Sequence, residues 1–280
     1  MLLRERLVSA IVKLLTRPSR KGPTWPHNDL KSLKKHIRKG DVLLVEGHER
    51  VSEVIKYLTQ STWSHAALYI GDELLQEERG HKTTVLRRFG KEAKHLVIEA
   101  LLGEGVVASP LSKYLDFTIR VCRPHGLKPE ALGTILDMVI GHLGDRYDIK
   151  NVFDLARYFF PVSLIPRRYR KAALHLGSGI PTQVICSSLI AEAFQKMRFP
   201  ILPERLSQEP PPERQRPSLR EVIFGAGKPQ YTGLFRMRHP TLITARDFDL
   251  SPYFEIIKFN IIEEVKFDYQ RLTWADERRA

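Results

Sequence analysis

Apolar and polar positions alternate at two periods along this chain, and the switches between them predict its elements. Met1 to Thr16 carries Leu3, Leu7, Ile11, Leu14 and Leu15 at helical spacing with basic residues mostly between them, an amphipathic helix ending near Pro18. A second basic helix is expected over Leu30 to Arg38, capped by Asn28 or Asp29 and stopped by Gly40. Asp41 to Val45 reads as a short buried strand, Val51 to Thr59 as a helix, and His65 to Ile70 as a strand closed by a Gly71-Asp72 turn. Glu73 to Lys94 is highly charged and reads as an insertion or long connection. Strand character resumes at Leu96 to Ala100, Val106 to Ala108 and Phe117 to Cys122. Helices follow at Lys128 to His142, at Val152 to Phe160, and from Cys186 through Phe194. Beyond Pro200 the texture changes: Pro203 to Pro217 is rich in Pro, Glu and Arg, and Phe254 to Ile262 is again β-like.

These elements predict an α+β protein with short strands in mid-chain and helices on either side. Three regions are expected: a basic helical extension over 1–39, a central domain over 40–200, and a Pro- and charge-rich arm with a C-terminal segment packing on the core over 201–280. Hydrophobic residues make up 42% of the 280 positions, enough for a proper core, and no apolar run is long enough to span a bilayer. The net charge is +13, and nine of those charges fall in the first forty residues. That bias favours an anionic partner, either a solvated helix on the domain or an interfacial helix on an anionic membrane surface through residues 1–40. Nucleic acid is not expected, because no reading module accompanies the charge. Charged residues interrupt the first apolar stretch and no small-residue cleavage site follows, so no signal peptide is expected. The expected location is cytoplasmic, with peripheral membrane association in reach. Two cysteines, Cys122 and Cys186, fit a reducing compartment rather than a disulfide scaffold.

The chain has no HExxH helix, no GxSxG elbow and no phosphate loop, and its ten histidines show no metal-ligand spacing. Cys186 opens a helix, where the positive end of the dipole and unpaired N–H groups favour thiolate and can hold an oxyanion. His65 heads an apolar strand. Glu99 is an acid inside the apolar run Leu96-Val97-Ile98-Glu99-Ala100, and burying it demands a cationic or hydrogen-bonding partner. Neighbouring strands would let Glu99 orient the His65 imidazole toward Cys186. Cys122, in Thr118-Ile119-Arg120-Val121-Cys122-Arg123, has no helix behind it and reads as structural.

The order Lys39-Gly40-Asp41-Val42, Ser64-His65-Ala66-Ala67-Leu68-Tyr69-Ile70-Gly71, Val97-Ile98-Glu99-Ala100, Tyr147-Asp148 and Ile185-Cys186-Ser187-Ser188-Leu189 resembles the circularly permuted, papain-like NlpC-type cysteine hydrolases. Within these it resembles the YaeF/YiiX class, some members of which are called lipo-like proteins. The resemblance covers about residues 39–196. It implies a permuted papain-like fold, a small antiparallel sheet packed against the helix that bears the cysteine, and catalytic roles for Cys186, His65 and Glu99. No metal or organic cofactor is implied. The charged stretch Glu73 to Lys94 departs from the usual connection. In lecithin:retinol-acyltransferase-like relatives the third residue follows the histidine by about a dozen positions, which lands on Glu77; the apolar strand context favours Glu99. Ser188 stands where the family commonly has an acid. Tyr147-Asp148 is either a turn and cap or a cleft residue, and Tyr158 to Lys171 either a folded lid or a loop dipping into headgroups.

The activity so implied is hydrolysis of an amide, ester or thioester, in a peptide or lipid-linked substrate, through an acyl-enzyme. The alternatives are an acyltransferase or thioesterase acting on lipid substrates, of the lecithin:retinol-acyltransferase-like type, and a non-catalytic membrane-associated binding protein on the same fold.

Overall fold

In the computed structural model, the described residues are 13–18, 28–145, 185–205 and 235–259. Tyr147-Asp148, the Val152 to Phe160 helix, Tyr158 to Lys171 and most of the Met1 to Thr16 stretch lie outside them. A six-stranded antiparallel sheet organises the rest, in the order β4-β3-β2-β1-β5-β8. Its strands are β1 (Val42–Val45), β2 (His65–Gly71), β3 (Leu96–Leu101), β4 (Gly105–Pro110), β5 (Ile119–Pro124) and β8 (Phe254–Ile257). A separate two-stranded pair joins β6 (Glu204–Arg205) to β7 (Phe235–Arg236).

β1 is an unbroken apolar run, buried at all four positions, because both faces of the sheet are covered. Successive side chains point to opposite faces. Val42, Leu44, Ala66, Leu68, Ile70, Leu96 and Ile98 point into one core. That core is closed by α4 (Pro129–Gly141), α5 (Ile185–Lys196) and α6 (Ala245–Leu250). Leu43, Val45, Ala67, Tyr69 and Val97 point into a second, smaller core. It is covered by Leu33 and Ile37 at α1 (Leu30–His36), by the turn Leu111–Tyr114, and by Phe259.

Local chemistry sets the ends. Asp29 caps α1, accepting from the backbone N–H groups of Lys31 and Ser32 at 3.1 and 2.9 Å. Gly40 takes φ +87°, a left-handed conformation that favours glycine, and a Cβ there would also press on a Leu132 methyl of α4 at 2.5 Å. Buried Asp41 holds the Arg123 guanidinium through two oxygens, at 2.9 and 2.7 Å, and this pair ties β1 to β5.

The charged stretch expected as an insertion forms three short helical turns around α3 (Lys82–Phe89), anchored by Leu74, Val85 and Ala93. Most of its other side chains face water, which is why it shows little apolar periodicity. The C-terminal segment supplies both β8, a strand of the main sheet, and α6, a cap on its core. Among the described residues no helix is long and apolar enough to cross a membrane.

Candidate active site

β2 begins at His65, and the register Leu68↔Ile98 brings that beginning toward the end of β3, where Glu99 lies. Alternation puts both side chains on the face of the smaller core. His65 Nε2 lies 2.8 Å from Glu99 Oε2, so the imidazole donates from Nε2 and the carboxylate accepts.

Glu99 is only 1% exposed, and an ionised carboxylate at that depth must be satisfied by the protein. Lys113 Nζ donates to Oε1 at 2.6 Å, and the Tyr114 hydroxyl donates to Oε2 beside His65. Burial pushes the carboxyl upward, but the hydrogen bond and charge of His65, with the Lys113 ammonium, hold it well below the usual carboxylate range. Glu99 is therefore a fixed anion that locks one imidazole tautomer. Glu49, just ahead of α2 (Arg50–Thr59), shares this field. Burial raises its carboxyl, the charges of His65 and Lys113 pull it down, and Glu99 pushes it up.

The structure brings Glu99, and not Glu77, to His65. Glu77 sits on an exposed turn, 2.8 Å from Lys82 Nζ, which lowers its carboxyl. Cys186 occupies the first turn of α5; its side chain lies outside the described residues. α5 packs across β2 and β3, but on the face of Ala66, Leu68 and Ile98, opposite His65 and Glu99. Hydrogen bonds link the two regions: the Ser187 hydroxyl donates to Ile243 O at 2.7 Å, just ahead of α6. In turn, α6 grips the α2–β2 connection through Arg246 to Thr59 O at 3.0 Å and through Asp249, which accepts from Trp63 Nε1 at 3.0 Å.

Cys122 is fully buried in β5, and burial pushes its thiol up to about 12, which leaves it unreactive at neutral pH. Lys113 and Tyr114 are partners that sequence reasoning did not name. The signal was indirect: an acid in an apolar strand demanded a cation without saying which. Among the described residues no group of three or more His, Cys, Asp and Glu side chains converges as a metal site would.

The sequence comparison places this antiparallel sheet within a known family. The model of the permuted papain-like amidase enzymes, the YaeF/YiiX or C92 family, matches residues 36–174, and the chain belongs to that family. The matched stretch contains His65 and Glu99 and ends before Cys186. The family is one of cysteine peptidases and amidases, so the chain is a thiol hydrolase of amidase or peptidase type. Among solved structures, the chain is similar to one described as metalloprotein YiiX from Escherichia coli O157:H7. The identity is 15% and the TM-score 0.43, with 80% of this chain and 98% of that chain covered. No curated protein matches the sequence significantly.

Proposed function

We propose that Cys186 is the nucleophile of an amide-cleaving hydrolase, that His65 is its general base, and that Glu99 orients the imidazole. The observation that carries this reading is the bond from His65 Nε2 to a buried, ionised Glu99, 2.8 Å long. With Nε2 committed to the carboxylate, proton exchange with the thiol falls to Nδ1. The thiol proton passes to Nδ1 as sulfur attacks the carbonyl carbon, and backbone N–H groups at the start of α5 hold the oxyanion. Collapse of the tetrahedral species breaks the C–N bond, and His65 returns the proton to the departing amine. Water, deprotonated by His65, then cleaves the thioester and regenerates the thiol. Water is the acceptor in this reading, which completes the cycle with no second organic substrate.

The catalytic unit in this reading extends past the expected 40–200 boundary. It includes residues 235–259, whose α6 supports both the cysteine helix and the approach to His65. The basic N-terminal region is a separate element of the proposal, an attachment to anionic membrane surfaces. Its support is charge, together with the split between Leu15, buried against Val51 and Leu102, and Leu14, which is 39% exposed.

The test is alkylation of the full chain with iodoacetamide at pH 7, with each cysteine quantified by mass spectrometry. Cys186 is expected to react roughly tenfold or more faster than Cys122 and to slow in His65→Ala. Equal rates at the two thiols, indifferent to His65→Ala, overturn the reading.

A further inference from the structure

Glu99 accepts from three side chains, and only one of them, Lys113, brings a second full positive charge to an anion that already serves His65. The position of that lysine is built rather than incidental. It sits on the turn Leu111–Tyr114, whose Leu111 and Tyr114 are buried in the smaller core on either side of it. Leu111 N–H donates to His95 O at 2.9 Å. The Asn28 side-chain amide donates to the carbonyls of Tyr114, Leu115 and Phe117, the last at 2.8 Å. The lysine stem crosses the Tyr114 ring, with Nζ 5.3 Å from its centroid, and the side chain is one-third exposed. Glu99 is fully buried, so losing this lysine strips a buried anion of one of its partners. A lysine placed on the far oxygen of a carboxylate that anchors an imidazole also acts on the imidazole.

We propose that Lys113 is a positioning residue that tunes the His65 base: it holds the Glu99 carboxylate in plane and offsets part of its charge as felt by the imidazole. The inference rests on the reading of His65 and Glu99 as catalytic partners. An uncompensated carboxylate favours the imidazolium strongly and keeps it protonated to higher pH; the ammonium opposes that charge. Charged or titratable groups that bear on His65 include Tyr114 on the same turn, Glu49 ahead of α2 and, in the proposed reading, the Cys186 thiol. Glu49 favours the imidazolium, as Glu99 does, and Lys113 opposes both. The wild-type base is thereby set to release its proton at a lower pH than the two acids alone would allow.

The experiment is a histidine-selective ¹³C NMR titration of the full chain, with the His65 signal assigned by its loss in His65→Ala. In Lys113→Met the His65 midpoint is expected to rise by about one pH unit, and in Lys113→Arg to stay within about 0.3 of wild type. Lys113→Gln reports the same shift should the methionine variant fold poorly. A midpoint that is unchanged or lower in the neutral variants overturns the inference, as does an equal shift in Lys113→Arg. The pH profile of Cys186 alkylation, run in parallel, separates the two claims. A raised His65 midpoint with Cys186 no more reactive than Cys122 upholds the role of Lys113 and removes the nucleophile.

Discussion

A carboxylate that loses water on folding must recover the lost solvation from donors, and Glu99 recovers it from His65, Lys113 and Tyr114. Glu99→Gln keeps the shape but removes the charge, so the imidazole loses its orienting anion. Cys186 alkylation at pH 7 is expected to fall roughly tenfold or more, whereas Glu77→Gln, on the exposed turn, leaves it unchanged. The same residue sets an acid dependence. Its carboxyl is depressed in the folded state from an ordinary value of 4.5. Its stabilising contribution is therefore complete above that pH and declines as the pH falls below it toward the folded value. Urea unfolding of wild type and Glu99→Gln is expected to show a stability gap at pH 7 that narrows steadily below about pH 4.5. The acid was legible because a charge inside Leu96-Val97-Ile98-Glu99-Ala100 breaks the pattern. Lys113 was not, because a lysine between Ser112 and Tyr114 is indistinguishable from any solvated surface lysine until the turn folds over β3.

Strands and helices that bury a clear stripe lie where the pattern puts them, with ends moved by a residue or two. The strand expected from His65 to Ile70 runs to Gly71, and the helix expected over Lys128 to His142 spans Pro129–Gly141. Short-range pattern did not carry the pairing. β8 lies beside β5 through Cys122↔Ile256 and its neighbours, a contact between segments more than a hundred residues apart. Its packing is aromatic. Phe254 meets Phe194, Phe199 and Phe248 with ring centroids 5.3 to 5.6 Å apart, which clamps α5 and α6 onto the sheet. Phe194 is fully buried in this cluster. Phe194→Ala is expected to cost about 3–5 kcal/mol, measured as a shift of the urea midpoint. A loss under 1 kcal/mol shows that the cysteine helix is held by something other than this cluster.

At the scale of the molecule, positive charge concentrates in the first forty residues, while the His65–Glu99 pair lies on the sheet. The two are joined where Leu15 packs on Val51 and Leu102 and where Arg50 N–H donates to Arg17 O at 3.0 Å. Liposome flotation separates charge-driven attachment from simple docking. The full chain is expected to float with vesicles containing phosphatidylserine and to remain at the bottom with neutral vesicles, and added salt reverses the binding. Flotation that ignores lipid charge removes the membrane reading. The sequence alone determined the family, the order of histidine, acid and cysteine, and the burial of most strands. Each of those is written in local spacing and residue type. Only the tertiary structure decided which acid reaches His65, which lysine answers that acid, and that β8 completes the sheet. Those outcomes depend on contacts between distant segments, and a one-dimensional pattern of burial records that a residue is covered, not by what.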